Sequence, residues 1–350
     1  MTIPSTMRAN VLVAPRKLVM EERTVPSIEA DQVLIQVSAV GVCGSDVHFY
    51  QEGRLGSWVL NRPLVLGHES GGTIVAVGTA VAPSRIGQRV SIEPQRPTPT
   101  SHETLMGRYN LDPEIEFYAV PDVDGAFAQY VTIQSHFAHV VPDSVSDAAA
   151  ALMEPLSVAI ATARKAGISV GSRVLITGAG PIGIACAQVA LAYGASEVIM
   201  TDIDAGRRAV AKTFGSTQEL DPLSDNVGEL GLLVDAFIEA SGATAAVMSG
   251  IRELRPAGVA VLVGMGAQEI PLPVSVIQNN ELVVTGVFRY ANTWPTAIEL
   301  VRSGKVDLDR MVTGYYGLDE VEDALLSAGR SGTLKSVVLP QQRGILAVRP

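Results

Sequence analysis

The chain has 350 residues, with 26 Lys and Arg against 36 Asp and Glu, giving a formal net charge of -10. That length buries a full core in two domains or one large one, and an acidic balance with no basic stripe excludes a nucleic-acid binder. The two cysteines, Cys43 and Cys186, lie far apart in sequence, so no disulfide framework is indicated and a reducing cytoplasm is the expected compartment.

The opening residues, MTIPSTMRAN, hold no apolar stretch of signal-peptide length, so no export is expected. Up to about Ala150 the chain is rich in short β-like runs such as DQVLIQVSAVGVCG and GGTIVAVG, punctuated by Gly and Pro, and reads as a mainly β domain. Inside it, EPQRPTPTSHETLMGRYNLDP (93–113) shows no helical or strand period and reads as a surface loop. The uncharged run Val174 to Ser196 has the length of a membrane span. Its interior is a β-branched run, a Gly/Pro turn and a helical period, which is a buried strand, turn and helix, so no membrane segment is expected.

From Val174 strand and helix alternate: Val174 to Thr177, a helix from Pro181, Val198 to Thr201, a helix from Ala205, Val234 to Glu239, a helix near Thr244, Val259 to Val263, then Leu282 to Val287. This is the pattern of a doubly wound α/β domain with a parallel sheet. After Arg289, WPTAIELVRSG reads as a helix with Pro at its start, and LKSVVLP as a closing strand.

Two constellations carry chemistry. In GAGPIG, Gly178, Gly180 and Gly183 stand in GxGxxG spacing between a strand and a helix, where glycines permit a tight turn, backbone approach to a pyrophosphate and close helix packing. Asp202, closing the next strand, is the acid expected to hold the adenosine ribose hydroxyls. Its charge opposes a 2'-phosphate and favours NAD over NADP, although Arg207 and Arg208 nearby soften that preference. In the β-rich part, Cys43 of VGVCGSDVH joins His68 and Glu69 of GHES; singly each suits a core position, and together they offer the thiolate, imidazole and carboxylate that suit zinc.

These residues carry a resemblance. GHESGGTIVAVGTAV is similar to the zinc signature of medium-chain alcohol and polyol dehydrogenases, and CGSDVH, GRYNL, DGAFAQY, MEPLSVA, GAGPIG and FRYANTWP resemble, in order, the sorbitol (L-iditol) dehydrogenase branch. The resemblance implies an α/β chain in which a GroES-like mainly β catalytic domain (1–155, resumed at 289–350) is interrupted in sequence by a doubly wound Rossmann NAD-binding domain (156–288). It implies one catalytic zinc per chain on Cys43, His68 and Glu69, with Glu154 of MEPLS as fourth ligand or holder of a zinc-bound water. The implied reaction is NAD-dependent oxidation of a secondary hydroxyl of a polyol to a ketose, with zinc polarising the hydroxyl and Ser45 and His48 relaying its proton.

By the same resemblance the cofactor contacts extend to Pro181, Ile182, Val263, Gly264, Met265, Val287, Phe288 and Arg289. Substrate would meet Arg289 and Tyr290, beside Glu154, with Trp58 and Phe117 as an aromatic wall. Where sorbitol-type relatives have tyrosine after CGSDVH this chain has Phe49, with Tyr50 next, so the preferred substrate is open among sorbitol, xylitol, galactitol, arabinitol and vicinal diols. A homotetramer is expected on resemblance alone.

Two rival readings lie close by. A zinc-free reductase of the quinone-reductase type would lack Cys43, His68, Glu69 and Glu154, and a non-enzymatic NAD-binding protein of crystallin type would not need Ser45 and His48. Many relatives hold a second, structural zinc on four cysteines in the lobe around GRYNL; here those positions fall on Thr98, Ser101, Thr104 and Asp112, a poor tetrahedral set that His102 and Glu103 do not restore. The lobe is therefore expected to fold without structural zinc.

Overall fold

The computed structural model describes residues 2–342. The chain forms two compact units, one of Met1–Glu154 with Leu308–Pro350 and one of Pro155–Asp307. Sequence reading set the first crossing at 155/156 and the return at 288/289, whereas the compact units change at 307/308. The difference arises because segment 289–307 is bonded to the second unit: the Arg164 guanidinium donates to the Asn292 carbonyl and to Thr296 Oγ1, both at 2.9 Å, and the Asp307 amide donates to Gln188 Oε1 at 2.8 Å.

The first unit is built on a seven-stranded sheet whose path runs Ala138–Val140, Arg89–Ile92, Glu69–Val77, Gln32–Gly41, Lys335–Leu339, Val312–Gly317, with Tyr130–Gln134 also paired to Gln32–Gly41. All pairs are antiparallel except the last two strands of that path. The central strand, QVLIQVSAVG, is apolar along most of its length because it is covered on both faces, and Val33, Ile35, Val37, Ala39 and Val40 are fully buried. Its register places Gly41 opposite Glu69 on one side and Val337 on the other. Three segments far apart in sequence thus meet at one end of the sheet, and the chain continues from there into Cys43.

The lobe at 93–113, expected as a loop, is partly ordered by local structure. Gln95–Arg96 pairs with Glu116–Phe117, His102–Leu105 forms a helical turn, and Tyr109–Leu111 a 3-10 turn. Sequence periodicity misses such elements because each spans only about one repeat of its own pattern, too little for a period to show.

The second unit has a six-stranded parallel sheet ordered Gln218–Leu220, Glu197–Thr201, Arg173–Thr177, Val234–Glu239, Leu254–Leu262, Val283–Gly286. Counted within the unit, that is the 3-2-1-4-5-6 order of doubly wound dinucleotide folds, whose crevice opens where the order reverses, beside Arg173–Thr177. The apolar run from Val174 resolves into this strand, a turn and the helix Pro181–Ala192, buried from Gly183 to Ala190. Among the described residues no helix is long and apolar enough to cross a membrane.

Candidate active site

Cys43 sits at the head of the helix Gly44–Glu52 in an extended conformation (φ -98°, ψ 155°). Asp46, one turn into that helix, is 1% exposed and accepts a hydrogen bond from the Cys43 amide at 3.0 Å through Oδ2. Its Oδ1 accepts from the Gly67 amide at 2.9 Å and lies 3.7 Å from His68 Nδ1. One buried carboxylate therefore holds the Cys43 turn and the Gly67 backbone (φ +88°) and faces the His68 ring. Burial opposes a charge on His68, but Asp46 and Cys43 outweigh it and raise its pKa well above the usual histidine value.

One ligand atom each of Cys43, His68 and Glu69 lie within 4.8 Å of one another, with His68 and Glu69 buried and Cys43 partly exposed. Glu69 Oε1 accepts a short hydrogen bond from Lys335, whereas its Oε2 is buried with no partner. Zinc at bond lengths of about 2.0 to 2.3 Å draws its donors to within roughly 3.5 Å of each other, so this set fits zinc after sub-ångström to ångström adjustments. A carboxylate oxygen left unsatisfied inside a protein is costly, and a cation held there with Cys43 and His68 would satisfy it.

Glu154 lies in the first turn of the helix Met153–Lys165, 5% exposed and outside the three-residue group. Its charge reaches Lys335: burial opposes the ammonium, yet Glu69, Cys43 and Glu154 together raise the Lys335 pKa. Ser45 and His48 follow Cys43 on the helix Gly44–Glu52, three residues apart and so on one face. His48 is exposed, its Nδ1 3.7 Å from Glu52 Oε1. Phe49 is buried in the apolar core of this unit. Tyr50 gives no substitute hydroxyl, because its phenol donates to Glu322. Phe117 is buried with its ring 5.4 Å from that of His68, and Trp58 lies in a small hairpin with Arg54–Leu55.

In the second unit the glycine turn is tight. Gly178 has φ +90°, and a Cβ there would lie 2.9 Å from the Ala240 backbone. A Cβ on Gly183 would lie 1.8 Å from the Gly178 carbonyl, whereas Gly180 faces open space. Pro181 and Ile182 open the helix that follows, both partly exposed. Asp202 is 8% exposed; its Oδ2 accepts from the Ala179 amide at 2.8 Å and its Oδ1 from the Asp204 amide at 2.9 Å. Gly178, Gly180, Asp202 and Arg207 line one cavity of about 510 Å³ with Ser241. Arg208 is turned to the Asp202 carbonyl at 2.6 Å and to Asp221 at 2.9 Å.

The remaining expected cofactor residues cluster less tightly. Val263 and Gly264 are partly buried at the end of Leu254–Leu262, and Met265 is exposed. Val287 is partly buried, Phe288 is exposed with the Arg289 guanidinium 4.8 Å from its ring centre, and Arg289 holds φ +53°. Tyr290 is 1% exposed against Trp294.

Sequence reasoning missed three residues. Asp46 had a legible signal, an acid three places after the residue that caps a helix. Glu239 is buried at the end of its strand, where Oε1 accepts from the Ser241 amide at 2.7 Å and the Gly242 amide at 2.8 Å beside the cavity that Ser241 lines. Lys335 had no local signal, since its partner is 266 residues away.

Comparison with known proteins gives a consistent picture. Residues 29–143 match the alcohol dehydrogenase GroES-like domain, and residues 181–303 match the zinc-binding dehydrogenase domain. The chain is 39% identical to sorbitol dehydrogenase of Bacillus subtilis, covering 97% of this chain and 99% of that protein. It is 38% identical to D-xylulose reductase of Saccharomyces cerevisiae, covering 93% and 94% respectively. Among solved structures, a zinc-binding dehydrogenase of Sinorhizobium meliloti bound to NADP superposes with a TM-score of 0.89 at 30% identity, over 96% of this chain and 100% of that one.

Proposed function

The chain belongs to the zinc-binding medium-chain dehydrogenases, enzymes that use a nicotinamide cofactor, and from that premise we propose that it oxidises a secondary hydroxyl of a polyol to a ketose, with NAD as acceptor. The observation that carries this reading is the convergence of Cys43, His68 and the unpartnered Oε2 of Glu69. Zinc bound by these residues would supply a Lewis acid for the reacting hydroxyl.

The chain's own groups do the rest. Asp46 orients His68 and the Cys43 turn, as an outer carboxylate does for a metal-ligating imidazole. Glu154 completes the anionic set, as a ligand or through water. Ser45 takes the substrate proton and His48, exposed three residues on, passes it to solvent. Phe117 and Trp58 offer apolar surface to the substrate carbons, Arg289 and Tyr290 its hydroxyl partners, and Phe49 removes a phenol that sorbitol-type relatives carry. The turn at Gly178, Gly180 and Gly183 receives the pyrophosphate on the helix starting at Pro181, with contacts from Ile182, Val263, Gly264, Met265, Val287 and Phe288. Asp202 takes the ribose, with Arg207 at its side.

NAD is favoured because the Asp202 carboxylate lines the cavity, where a 2'-phosphate would add like charge. One zinc per chain, no structural zinc in the 93–113 lobe, and a homotetramer complete the proposal. Purified protein assayed for NADH formation from sorbitol, xylitol and a vicinal diol, before and after zinc removal, tests it: polyol oxidation that survives complete loss of zinc contradicts the reading.

A further inference from the structure

Lys335 is 3% exposed, and its ammonium donates to the Val42 carbonyl at 3.0 Å and to Glu69 Oε1. The placement follows from sheet register: Val337 lies opposite Gly41, Gly41 opposite Glu69, and the Val42 amide donates to the Ser336 carbonyl at 2.9 Å. A strand from the end of the chain therefore delivers one cation beside two segments, Val42–Cys43 and Glu69, that supply two of the three clustered donors. Glu69 is confined from the other side as well, since a Cβ on Gly41 would lie 2.1 Å from its Oε2.

We propose that Lys335 is a positioning residue of the metal centre: anchored on the Val42 carbonyl, it binds one oxygen of Glu69 and so presents the other, Oε2, as a single-oxygen ligand. This inference rests on the reading of Cys43, His68 and Glu69 as metal ligands. A buried carboxylate left to itself can turn either oxygen, or both, towards a cation. Here Oε1 is committed to the ammonium and the space around Oε2 is shaped by a glycine. The role is geometric and runs through Glu69, so it disappears when the carboxylate is removed.

The test is a set of variants, Lys335→Met, Glu69→Gln and the double Lys335→Met/Glu69→Gln, each loaded with cobalt or titrated with zinc against a competing chelator. Loss of a partner that orients a metal ligand costs roughly 10- to 100-fold in metal affinity. Lys335→Met is expected to bind zinc that much more weakly and to shift the visible spectrum of the cobalt form. The double variant, in which both members of the buried Lys335–Glu69 pair are neutralised together, is expected to match Glu69→Gln in both readouts. If Lys335→Met does not fold, the comparison of the double variant with Glu69→Gln decides alone. Unchanged or tighter zinc binding in Lys335→Met, or a further tenfold loss in the double variant relative to Glu69→Gln, overturns the proposal. Zinc content of the wild type that persists in Cys43→Ser and His68→Ala would instead remove the underlying reading of the site.

Discussion

Gly41 and Glu69 face each other across two antiparallel strands so closely that a methyl on Gly41 would stand 2.1 Å from Glu69 Oε2 and 2.8 Å from a Leu152 methyl. The carboxylate cannot move aside freely, because its other oxygen is held by Lys335. Gly41→Ala is therefore expected to weaken zinc binding by about tenfold or more while the apo protein still folds. Chelator competition measures it, and wild-type affinity in this variant would show that the Glu69 position does not matter to the metal.

A second glycine makes the same kind of argument for the cofactor. The Gly183 Cβ position is 1.8 Å from the Gly178 carbonyl, a backbone atom within the turn itself. Gly183→Ala is expected to destabilise the second unit by roughly 1 to 3 kcal/mol, as overpacking does. It is also expected to weaken NADH binding by about tenfold, an amount worth 1.4 kcal/mol. Fluorescence titration with NADH beside a thermal melt separates the two effects; unaltered NADH affinity contradicts the assignment of this turn.

How much of this was readable beforehand depended on range. The strand at Val174, the turn and the helix from Pro181 were legible because their signals are local and periodic, and Asp202 because a βαβ unit fixes its distance from the turn. Cys43, His68 and Glu69 were legible as residue types, yet of the groups beside them only Asp46 leaves a local signal. The pairing of Lys335 with Glu69 is a consequence of sheet order, which no short window contains. The lobe at 93–113 was opaque for the opposite reason: its elements are too brief to show a period, and side-chain hydrogen bonds help to hold it. The Thr98 amide donates to Asp112 Oδ2 at 2.5 Å, and the Ser101 hydroxyl donates to Thr104 Oγ1 at 2.9 Å while accepting from the Thr104 amide at 3.2 Å.

Those bonds join Thr98 to Asp112 and Ser101 to Thr104, two pairs among the four lobe positions that the resemblance aligns with cysteines. Ser101 also caps the turn His102–Leu105. Ser101→Ala is expected to cost about 1 kcal/mol of stability and to leave zinc content at the wild-type value. A drop in bound zinc in this variant, measured by elemental analysis, would place a metal in the lobe after all.

Tyr118 supplies a pH dependence in the first unit. Burial pushes its phenol up to about 12, the nearby Arg96 opposing, and its hydroxyl donates to the Thr132 carbonyl at 2.6 Å. Because the folded protein holds this proton more tightly than the unfolded chain, the contribution is complete below about pH 10 and is lost as pH rises towards 12. The shift corresponds to roughly 2 to 3 kcal/mol. Denaturant unfolding of wild type and Tyr118→Phe should show the wild-type advantage narrowing from pH 9 to pH 11; a constant difference contradicts this origin.

The central claim is that Cys43, His68 and Glu69 hold one zinc on which NAD-linked polyol oxidation depends. Titrating zinc into metal-free protein while following NADH formation from sorbitol or xylitol tests it most directly. The account predicts activity that rises in proportion to zinc and levels at one ion per chain, with no recovery in Cys43→Ser. Full activity in the metal-free protein, or recovery in Cys43→Ser equal to wild type, would contradict it.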